Sequence, residues 1–212
     1  MGSTHYPRTL HLPWSPGRSN DDLVLDACTA FEGQEVVVLE KVDGENTSLS
    51  HEKIYTRSGD YTRHPSRTRM SASYACIRQD IPETFQVCGE NAYAKHSIFY
   101  DRLPAYYLVF GIFDRSNGVA LAWDEVVEWA TLLNLVTVPV LWRGQWDEKF
   151  LRDGTFWYPQ LGKGSEGYVV RLASSFSRTD FGRAVAKYVR KDHVQTDKHW
   201  MNQSVVPNKL AQ

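Results

Sequence analysis

Lys41 stands at the end of an apolar stretch and just before a tight turn, where a side chain can act on a bound ligand. The stretch Glu35–Lys41 is rich in valine and leucine, which predicts a buried strand. Asp43 and Gly44 follow as a turn signal, and glycine lets the backbone approach a ligand closely. The pattern predicts a nucleophilic Lys41, but it is weak evidence alone because a lysine beside a turn is usually only solvated.

Five further patterns follow in order, and each places a charged residue in a loop or at a strand-like stretch. Glycines directly beside two of the glutamates allow a close approach to ligand. With the first pattern, the set is Lys41-Val42-Asp43-Gly44-Glu45-Asn46, Arg57-Ser58-Gly59, Phe85-Gln86-Val87-Cys88-Gly89-Glu90, Val109-Phe110-Gly111-Ile112-Phe113-Asp114, Ser165-Glu166-Gly167-Tyr168-Val169-Val170-Arg171 and Val185-Ala186-Lys187-Tyr188.

In this order the patterns resemble the motifs of the covalent nucleotidyltransferases, the superfamily of ATP-dependent ligases and capping enzymes. The resemblance covers about residues 35–191 and is closest to the RNA ligase branch typified by phage RNA ligase 2 and RNA-editing ligases, in which a glutamate such as Glu40 also precedes the lysine. It implies an α+β nucleotidyltransferase (ATP-grasp-like) domain of antiparallel sheets with flanking helices. It also implies an ATP-dependent RNA ligase that joins 3′-OH and 5′-phosphate ends.

The resemblance implies a role for each matching residue. Lys41 would attack the α-phosphate of ATP to form a lysyl-AMP, the AMP would pass to a 5′-phosphate, and a 3′-hydroxyl would displace it. Phe113 would stack on adenine, with Phe110 as the competing candidate. The catalytic set is Lys41, Glu90, Glu166 and Lys187, and the nucleotide-binding set is Glu40, Asp43, Gly44, Asn46, Arg57, Phe113, Lys187 and Lys191.

A divalent metal is the second requirement of this chemistry. Glu90 and Glu166 are the expected ligands of Mg²⁺ or Mn²⁺, because one or two carboxylates suffice for an ion that keeps several waters. A free lysine with a pKa near 10.4 must be lowered by about three units to act at neutral pH. The metal and Lys187 are expected to supply the positive charge that does this.

Two departures from the family pattern affect the prediction. Val189 occupies the place of a second lysine after Lys187, so the group that assists Lys187 is open. Residues 192–212 are too few for a second domain, so no C-terminal OB domain is expected. The interpretation is a minimal catalytic domain acting on RNA ends, in nicked or bridged duplexes, with an end-healing kinase or phosphatase supplied in trans.

Three alternatives stay open: an ATP-dependent DNA ligase, a capping-type guanylyltransferase, and a non-catalytic nucleic-acid or nucleotide-binding module. The first two would use the same lysine with another acceptor or base. The Glu40-Lys41 pair and the Glu166 motif resemble the RNA ligase branch more closely, and the intact set of charged residues argues against loss of the reaction.

The elements that must position these residues are mostly strands. Residues 1–20 read as an extended arm because of their prolines, and residues 21–212 as one domain. Predicted strands cover residues 35–41, 47–50, 53–57, 84–90, 106–113, 166–172 and 184–189, and predicted helices cover residues 21–30, 70–79 and 123–135. The last helix is predicted to bury Val126, Val127, Ala130 and Leu133 on one face.

Composition limits the remaining classes of function. The formal net charge is −1, so any nucleic-acid surface must be local, and Arg63, Arg67 and Arg69 are predicted to form it. No apolar run reaches membrane-spanning length and no signal peptide is evident, which favours a cytoplasmic protein. Three cysteines without a paired motif predict neither a disulfide framework nor a zinc site.

Overall fold

The computed structural model describes residues 5–57, 59–61, 64–191 and 204–212. Within these residues, thirteen strands and four α-helices form. The strands are β1 (Leu10–His11), β2 (Glu35–Lys41), β3 (Glu45–Leu49), β4 (Ile54–Thr56), β5 (Gly59–Asp60), β6 (Phe85–Asn91), β7 (Tyr107–Asp114), β8 (Val119–Ala120), β9 (Val136–Thr137), β10 (Val140–Gln145), β11 (Gly167–Leu172), β12 (Phe176–Ser177) and β13 (Val185–Val189). The helices are α1 (Thr68–Ile77), α2 (Trp123–Leu132), α3 (Glu148–Asp153) and α4 (Phe181–Ala184).

The first sheet has the strand order β1-β13-β11-β2-β10. Strand β2 pairs antiparallel with both β11 and β10, and its residues 36–39 are almost completely buried. A strand covered on both faces needs a continuous apolar run, which explains the Val-Val-Val-Leu sequence. The predicted bounds of β2 are confirmed, and this strand carries Lys41 at its end.

The second sheet has the order β12-β8-β7-β6-β3-β4-β5, and β9 pairs parallel with β7. The register between β6 and β7 shifts at Cys88 and Gly89. A Cβ atom on Gly89 would lie 2.5 Å from the Tyr107 ring and 2.7 Å from the Leu108 carbonyl oxygen. Glycine is therefore required at this irregularity, immediately before Glu90.

Two helix predictions need correction. Residues 21–30 do not form an α-helix; only Thr29–Phe31 turns as a 3₁₀ helix, because Asp22 instead accepts hydrogen bonds from the backbone and hydroxyl of Ser19. Helix α2 ends at Leu132, and Asn134 adopts a positive φ of 53°. Val126, Ala130 and Leu133 are buried as predicted, but Val127 is 38% exposed.

The N-terminal residues lie against the first sheet and reach toward the second. Leu10 and His11 pair parallel with Ala186 and Lys187 of β13. The Tyr6 ring packs edge-on against Phe110 of β7 at 4.9 Å between ring centres. The longest helices among the described residues have ten residues, about half the length needed to cross a bilayer.

Candidate functional site

Residues of both sheets line a cavity of ≈ 680 Å³. Its walls include the ends of β2 and β13 from the first sheet and parts of β3, β6 and β7 from the second. The cavity brings together most of the predicted site: Glu40, Lys41, Asp43, Gly44, Asn46, Arg57, Glu90, Phe113, Glu166 and Lys187. Residues that are distant in the sequence thus meet in one concave space.

Lys41 and Glu166 form an ion pair in the lining of this cavity. Lys41 Nζ donates to Glu166 Oε2 at 2.6 Å, and both side chains are largely buried, at 22% and 9% exposed. Gly167 pairs with Lys41 across β11 and β2. A Cβ atom on Gly167 would lie 1.9 Å from the Tyr188 carbonyl oxygen, so only glycine lets β11 begin here and bring Glu166 beside Lys41.

The protein's own groups do not lower the pKa of Lys41. Burial alone would lower it, but the carboxylates of Glu166 and Glu90 outweigh burial and raise this pKa above its ordinary value. The expected lowering therefore depends on positive charge that the ligands bring to the cavity.

Glu90 is the second carboxylate beside Lys41, and it extends from β6, where it pairs with Asn46 of β3. Burial raises the pKa of Glu90 to about 8; Lys41 opposes this rise, while the negative charges of Glu166 and Asp43 add to it. A site with two mutually repelling carboxylates favours a cation between them. No cluster of three or more metal-binding side chains occurs within the described ranges.

Lys187 supplies a second positive charge to the cavity from β13. Burial lowers the pKa of Lys187, the nearby charge of Lys41 lowers it further, and Asp22 and Glu166 act in the opposite direction. Because β13 is joined to β2 through β11, the two lysines belong to the same sheet.

The turn after Lys41 is held by a loop that follows β6. Asp43 Oδ2 accepts hydrogen bonds from the backbone N–H groups of Ser97 and Ile98 at 2.7 and 2.9 Å. The Asp43 N–H donates to the Tyr100 hydroxyl at 2.8 Å. Part of the Asp43 carboxylate is therefore committed to fixing the turn, a role that the sequence pattern does not reveal.

Glu40 is a buried carboxyl in the same wall. It is 2% exposed, its Oε2 accepts from the Gln160 N–H at 3.1 Å, and burial raises its pKa to about 7. Its Oε1 has no hydrogen-bond partner in the part of the chain that the structure describes. A buried oxygen without a partner is costly, so a ligand N–H group would be favoured there.

One end of the cavity is aromatic. Phe113 is 2% exposed, and its ring lies 6.0 Å from Tyr6, 6.2 Å from Phe181 and 4.4 Å from the Arg178 guanidinium. Phe110 is less buried and also lines the cavity. The adenine prediction for Phe113 stays a prediction, with Phe110 still in competition.

Tyr6 and Arg171 are among the lining residues that had no predicted role. Tyr6 reaches the cavity from the N-terminal arm, and no motif marks it. Arg171 belongs to the quoted Glu166 motif; its guanidinium is buried and donates to the carbonyl oxygens of Leu121 and Leu172. Tyr6 could be found only from the tertiary structure, whereas the motif position of Arg171 was a usable signal.

The predicted basic group does not form one surface among the described residues. Arg67 is 4% exposed, forms an ion pair with Glu45 and lines the cavity. Arg69 is exposed and lies over the rings of Tyr93 and Tyr106 at 5.8 and 5.4 Å. Arg63 falls outside the described residues, and Lys191 is exposed and is not part of the cavity lining.

Several solved structures have a similar fold. An archaeal ATP-dependent RNA ligase gives a TM-score of 0.58 at 16% identity, covering 88% of this chain and 48% of that one. An apo mutant of Naegleria gruberi RNA ligase gives 0.52 at 16% identity, covering 77% of this chain and 51% of the other. The chain thus spans about half the length of these structures, and at this identity the likeness shows the fold alone.

The sequence comparison carries the family assignment. No curated protein matches the chain in sequence. The RNA ligase family model matches residues 34–189, which is more than two thirds of the chain and includes every motif described above. The α+β prediction with antiparallel sheets is confirmed, and the chain belongs to the RNA ligase family.

Proposed function

We propose that this chain is an ATP-dependent RNA ligase that joins 3′-OH and 5′-phosphate RNA ends. The observation that carries the proposal is the position of Lys41 Nζ, 2.6 Å from Glu166 in a cavity that also contains Glu90 and Lys187. A lysine at the end of a rigid central strand, facing a nucleotide-sized space, suits covalent nucleotide transfer.

In the first step, neutral Lys41 Nζ attacks the α-phosphorus of ATP. A P–N bond forms, the bond from the α-phosphorus to the bridging oxygen of pyrophosphate breaks, and pyrophosphate leaves with that electron pair. Nζ loses a proton to water and becomes the phosphoramidate nitrogen. Lys187 stabilises the charge on the phosphate oxygens from β13, which belongs to the same sheet.

Glu90 and Glu166 fit a divalent cation, Mg²⁺ or Mn²⁺, because both are carboxylates beside the nucleophile and repel one another. When bound, the ion supplies positive charge that favours neutral Lys41 and stabilises the phosphates. A mutant of Naegleria gruberi RNA ligase was solved with AMP and Mn, at a TM-score of 0.51 to this chain.

The remaining lining residues would hold the nucleotide. Glu40 offers a free buried oxygen to the adenine amino group, and Phe113 or Phe110 offers an aromatic face to the ring. Asn46 and Arg57 would bind ribose or phosphate. Lys191 would contact only phosphates that extend beyond the cavity.

Two further transfers complete ligation. The RNA 5′-phosphate attacks the lysyl-AMP, the P–N bond breaks, and the lysine is released as the AMP becomes attached to the 5′-phosphate. The 3′-hydroxyl then attacks the adenylylated 5′-phosphate, the phosphodiester forms and AMP leaves. RNA as the acceptor is supported by the family match, and nicked or bridged duplexes as its form are part of the proposal.

The test uses protein stripped of bound nucleotide, incubated with Mg²⁺ and α-labelled ATP or GTP and examined by intact mass. We expect one AMP on the wild type, none on Lys41→Ala, and an unchanged adduct on the control Lys149→Ala, whose lysine is exposed on α3. A GMP adduct would favour capping chemistry, and absence of any adduct would favour a binding module.

The acceptor is tested separately by comparing the sealing of nicked RNA and nicked DNA duplexes of one sequence. We also propose that an end-healing kinase or phosphatase acts in trans and that the reaction takes place in the cytoplasm. If a pull-down from the native host recovers no nucleic-acid-processing protein, the proposal of a partner in trans is contradicted. Cell fractionation tests the proposed cytoplasmic location.

A further inference from the structure

The C-terminal segment, residues 204–212, is docked on the loop of residues 92–103 that follows β6. Backbone hydrogen bonds of 2.8 to 2.9 Å join the loop to the segment. The N–H groups of Lys95, Asn208, Lys209 and Leu103 donate to the carbonyl oxygens of Val206, Tyr93, Tyr100 and Lys209, respectively. The segment lies outside the residues that the family model matches. Its contacts are thus a feature of this chain that the shared motifs do not explain.

Asn208 is the buried anchor of this contact. It is 1% exposed, its Oδ1 accepts from the Tyr100 N–H at 2.8 Å, and its Nδ2 donates to the Ala92 carbonyl oxygen at 2.8 Å. Both ends of the amide are thus satisfied by backbone groups of one loop. An amide buried in this way fixes the loop in a single arrangement.

Tyr100 connects Asn208 to the turn that follows Lys41. Its ring is completely buried, its N–H donates to Asn208, and its hydroxyl accepts the Asp43 N–H at 2.8 Å. The same loop also binds the Asp43 carboxylate through two backbone N–H groups. Three hydrogen bonds therefore hold Asp43, two residues from the proposed nucleophile.

The direction of Lys41 depends on this turn. The strand fixes the backbone before Lys41, and the loop fixes it afterwards, so the backbone that carries the Lys41 side chain is constrained from both sides. Attack on a phosphate requires the nitrogen within about 3–3.5 Å and in line with the leaving group, and a displacement of about 1 Å can cost 100-fold in rate.

We infer that Asn208 is a positioning residue for Lys41, acting through Tyr100 and Asp43 to align Nζ with the α-phosphate. The inference rests on the proposed function. Asn208 itself does not line the cavity, so its effect falls on the alignment of Lys41 and leaves the nucleotide contacts in place.

The test measures the single-turnover rate of lysyl-AMP formation at saturating ATP in Asn208→Ala and Tyr100→Phe. Tyr100→Phe removes only the hydroxyl that accepts the Asp43 N–H, so it decides the question if Asn208→Ala does not fold. The controls are Lys209→Ala, an exposed neighbour, and Tyr74→Phe, a buried hydroxyl that donates to Ser50 away from the cavity.

We expect both test variants to form lysyl-AMP about tenfold more slowly, the loss expected for one hydrogen bond, with KM for ATP within about twofold of wild type. Sealing of RNA that already carries a 5′-adenylate needs no attack by Lys41, so its rate is expected to stay within about twofold of the wild-type rate. Both controls are expected to behave as wild type.

A wild-type rate of lysyl-AMP formation in folded Asn208→Ala, or in Tyr100→Phe, would overturn the inference while leaving the proposed function intact. Equal loss in lysyl-AMP formation and in sealing of adenylylated RNA would also overturn it, because that result indicates general damage to the fold. Absence of any adduct in the wild type would overturn the proposed function, and the inference with it.

Discussion

Lys41 must be neutral to attack a phosphate, yet its nearest partners favour the ammonium form. Glu166 lies at 2.6 Å, and with Glu90 it raises the pKa of Lys41 despite burial. The same two carboxylates are the proposed cation ligands. In the proposed mechanism, this pair of residues keeps the lysine protonated until a cation arrives with the nucleotide, which couples activation of the nucleophile to binding.

The raised pKa of Glu90 leads to a prediction about stability. Burial raises this pKa to about 8 in the folded protein, whereas an unfolded glutamate titrates near 4.3. Folding thus favours the protonated form, so the contribution of Glu90 is fully present below about pH 4 and is lost as pH rises toward 8. Glu90→Gln should raise the free energy of unfolding at pH 8 by on the order of 2 kcal/mol and change it little near pH 4.

Urea unfolding from pH 4 to pH 8.5, without divalent metal, measures this difference. Glu83→Gln removes an exposed carboxylate just before β6 and serves as the control, with no pH-dependent gain expected. An equal gain for Glu90→Gln at both ends of the range would contradict the assignment.

Arg67 and Arg69 are two residues apart and should respond differently to substitution. Arg67 is buried against Glu45, so Arg67→Ala leaves a largely buried carboxylate uncompensated and should cost about 3 kcal/mol of stability. Arg69 is exposed, and Arg69→Ala should change stability by less than about 0.5 kcal/mol. Chemical denaturation checks both values.

RNA binding tests the role of the exposed Arg69 separately from stability. Arg69→Ala should weaken RNA binding and flatten its salt dependence while lysyl-AMP formation stays intact. Unchanged binding would remove Arg69 from the RNA surface and leave its contacts with Tyr93 and Tyr106 as its role.

At the scale of single residues, the sequence predicts the chemical role of a side chain better than it predicts the burial and contacts of that side chain. The cavity residues could be named because their motifs resemble those of the family, and Glu90 and Glu166 also stand directly beside a glycine. Arg67 and Arg69 look equivalent in the sequence, but a 3₁₀ turn at Pro65–Arg67 directs the first inward. The inferred positioning role of Asn208 depends on the docking of a segment that is distant in the sequence, and no local pattern predicts that docking.

At the scale of elements, burial on both faces made β2 the easiest strand to predict. Its apolar run is continuous and has charged residues at both ends. Strand β10 was not predicted, because it lies at the edge of the first sheet and its residues are partly exposed, without clear alternation. Helix α3 was also missed, since six residues are too few for a helical period to be recognised.

The short strand β1 leads to a prediction about Lys187. Ser15 Oγ accepts from the Val189 N–H at 2.9 Å and lies 2.8 Å from His11 Nδ1, and His11 Nε2 lies 3.4 Å from Asp22 Oδ2. Burial lowers the pKa of His11 to about 4, so its ring is neutral at physiological pH. These contacts hold the carboxylate of Asp22 near Lys187. Its negative charge opposes part of the lowering of the Lys187 pKa that burial causes.

Asp22→Asn should therefore lower the pKa of Lys187 further, with Lys41, Arg57 and Glu166 unchanged around it. The alkaline decline of lysyl-AMP formation should then begin about half a pH unit earlier than in wild type. The matched control is Asp21→Asn, which removes the same charge from the adjacent residue. An identical shift in both variants would show that only the overall charge matters.

At the scale of the whole molecule, the cavity proposed to hold the nucleotide is lined by residues of both sheets. Lys41, Glu166 and Lys187 come from the first sheet, and Asn46, Glu90 and Phe113 from the second. A ligand held by both walls should stabilise the two sheets together. Because the formal net charge is only −1, general charge neutralisation by Mg²⁺ contributes little to this effect.

The thermal unfolding of Lys41→Ala, which cannot form the adduct, isolates this non-covalent coupling. ATP with Mg²⁺ at about 100 times its Kd should add about 2.7 kcal/mol, which raises Tm by roughly 5–10 °C for a chain of this size. GTP should raise Tm less, since Glu40 and the aromatic end are proposed to select adenine. A single transition that moves as a whole supports a site shared by both sheets; two transitions, of which only one moves with ATP, would mean that one sheet alone binds the nucleotide.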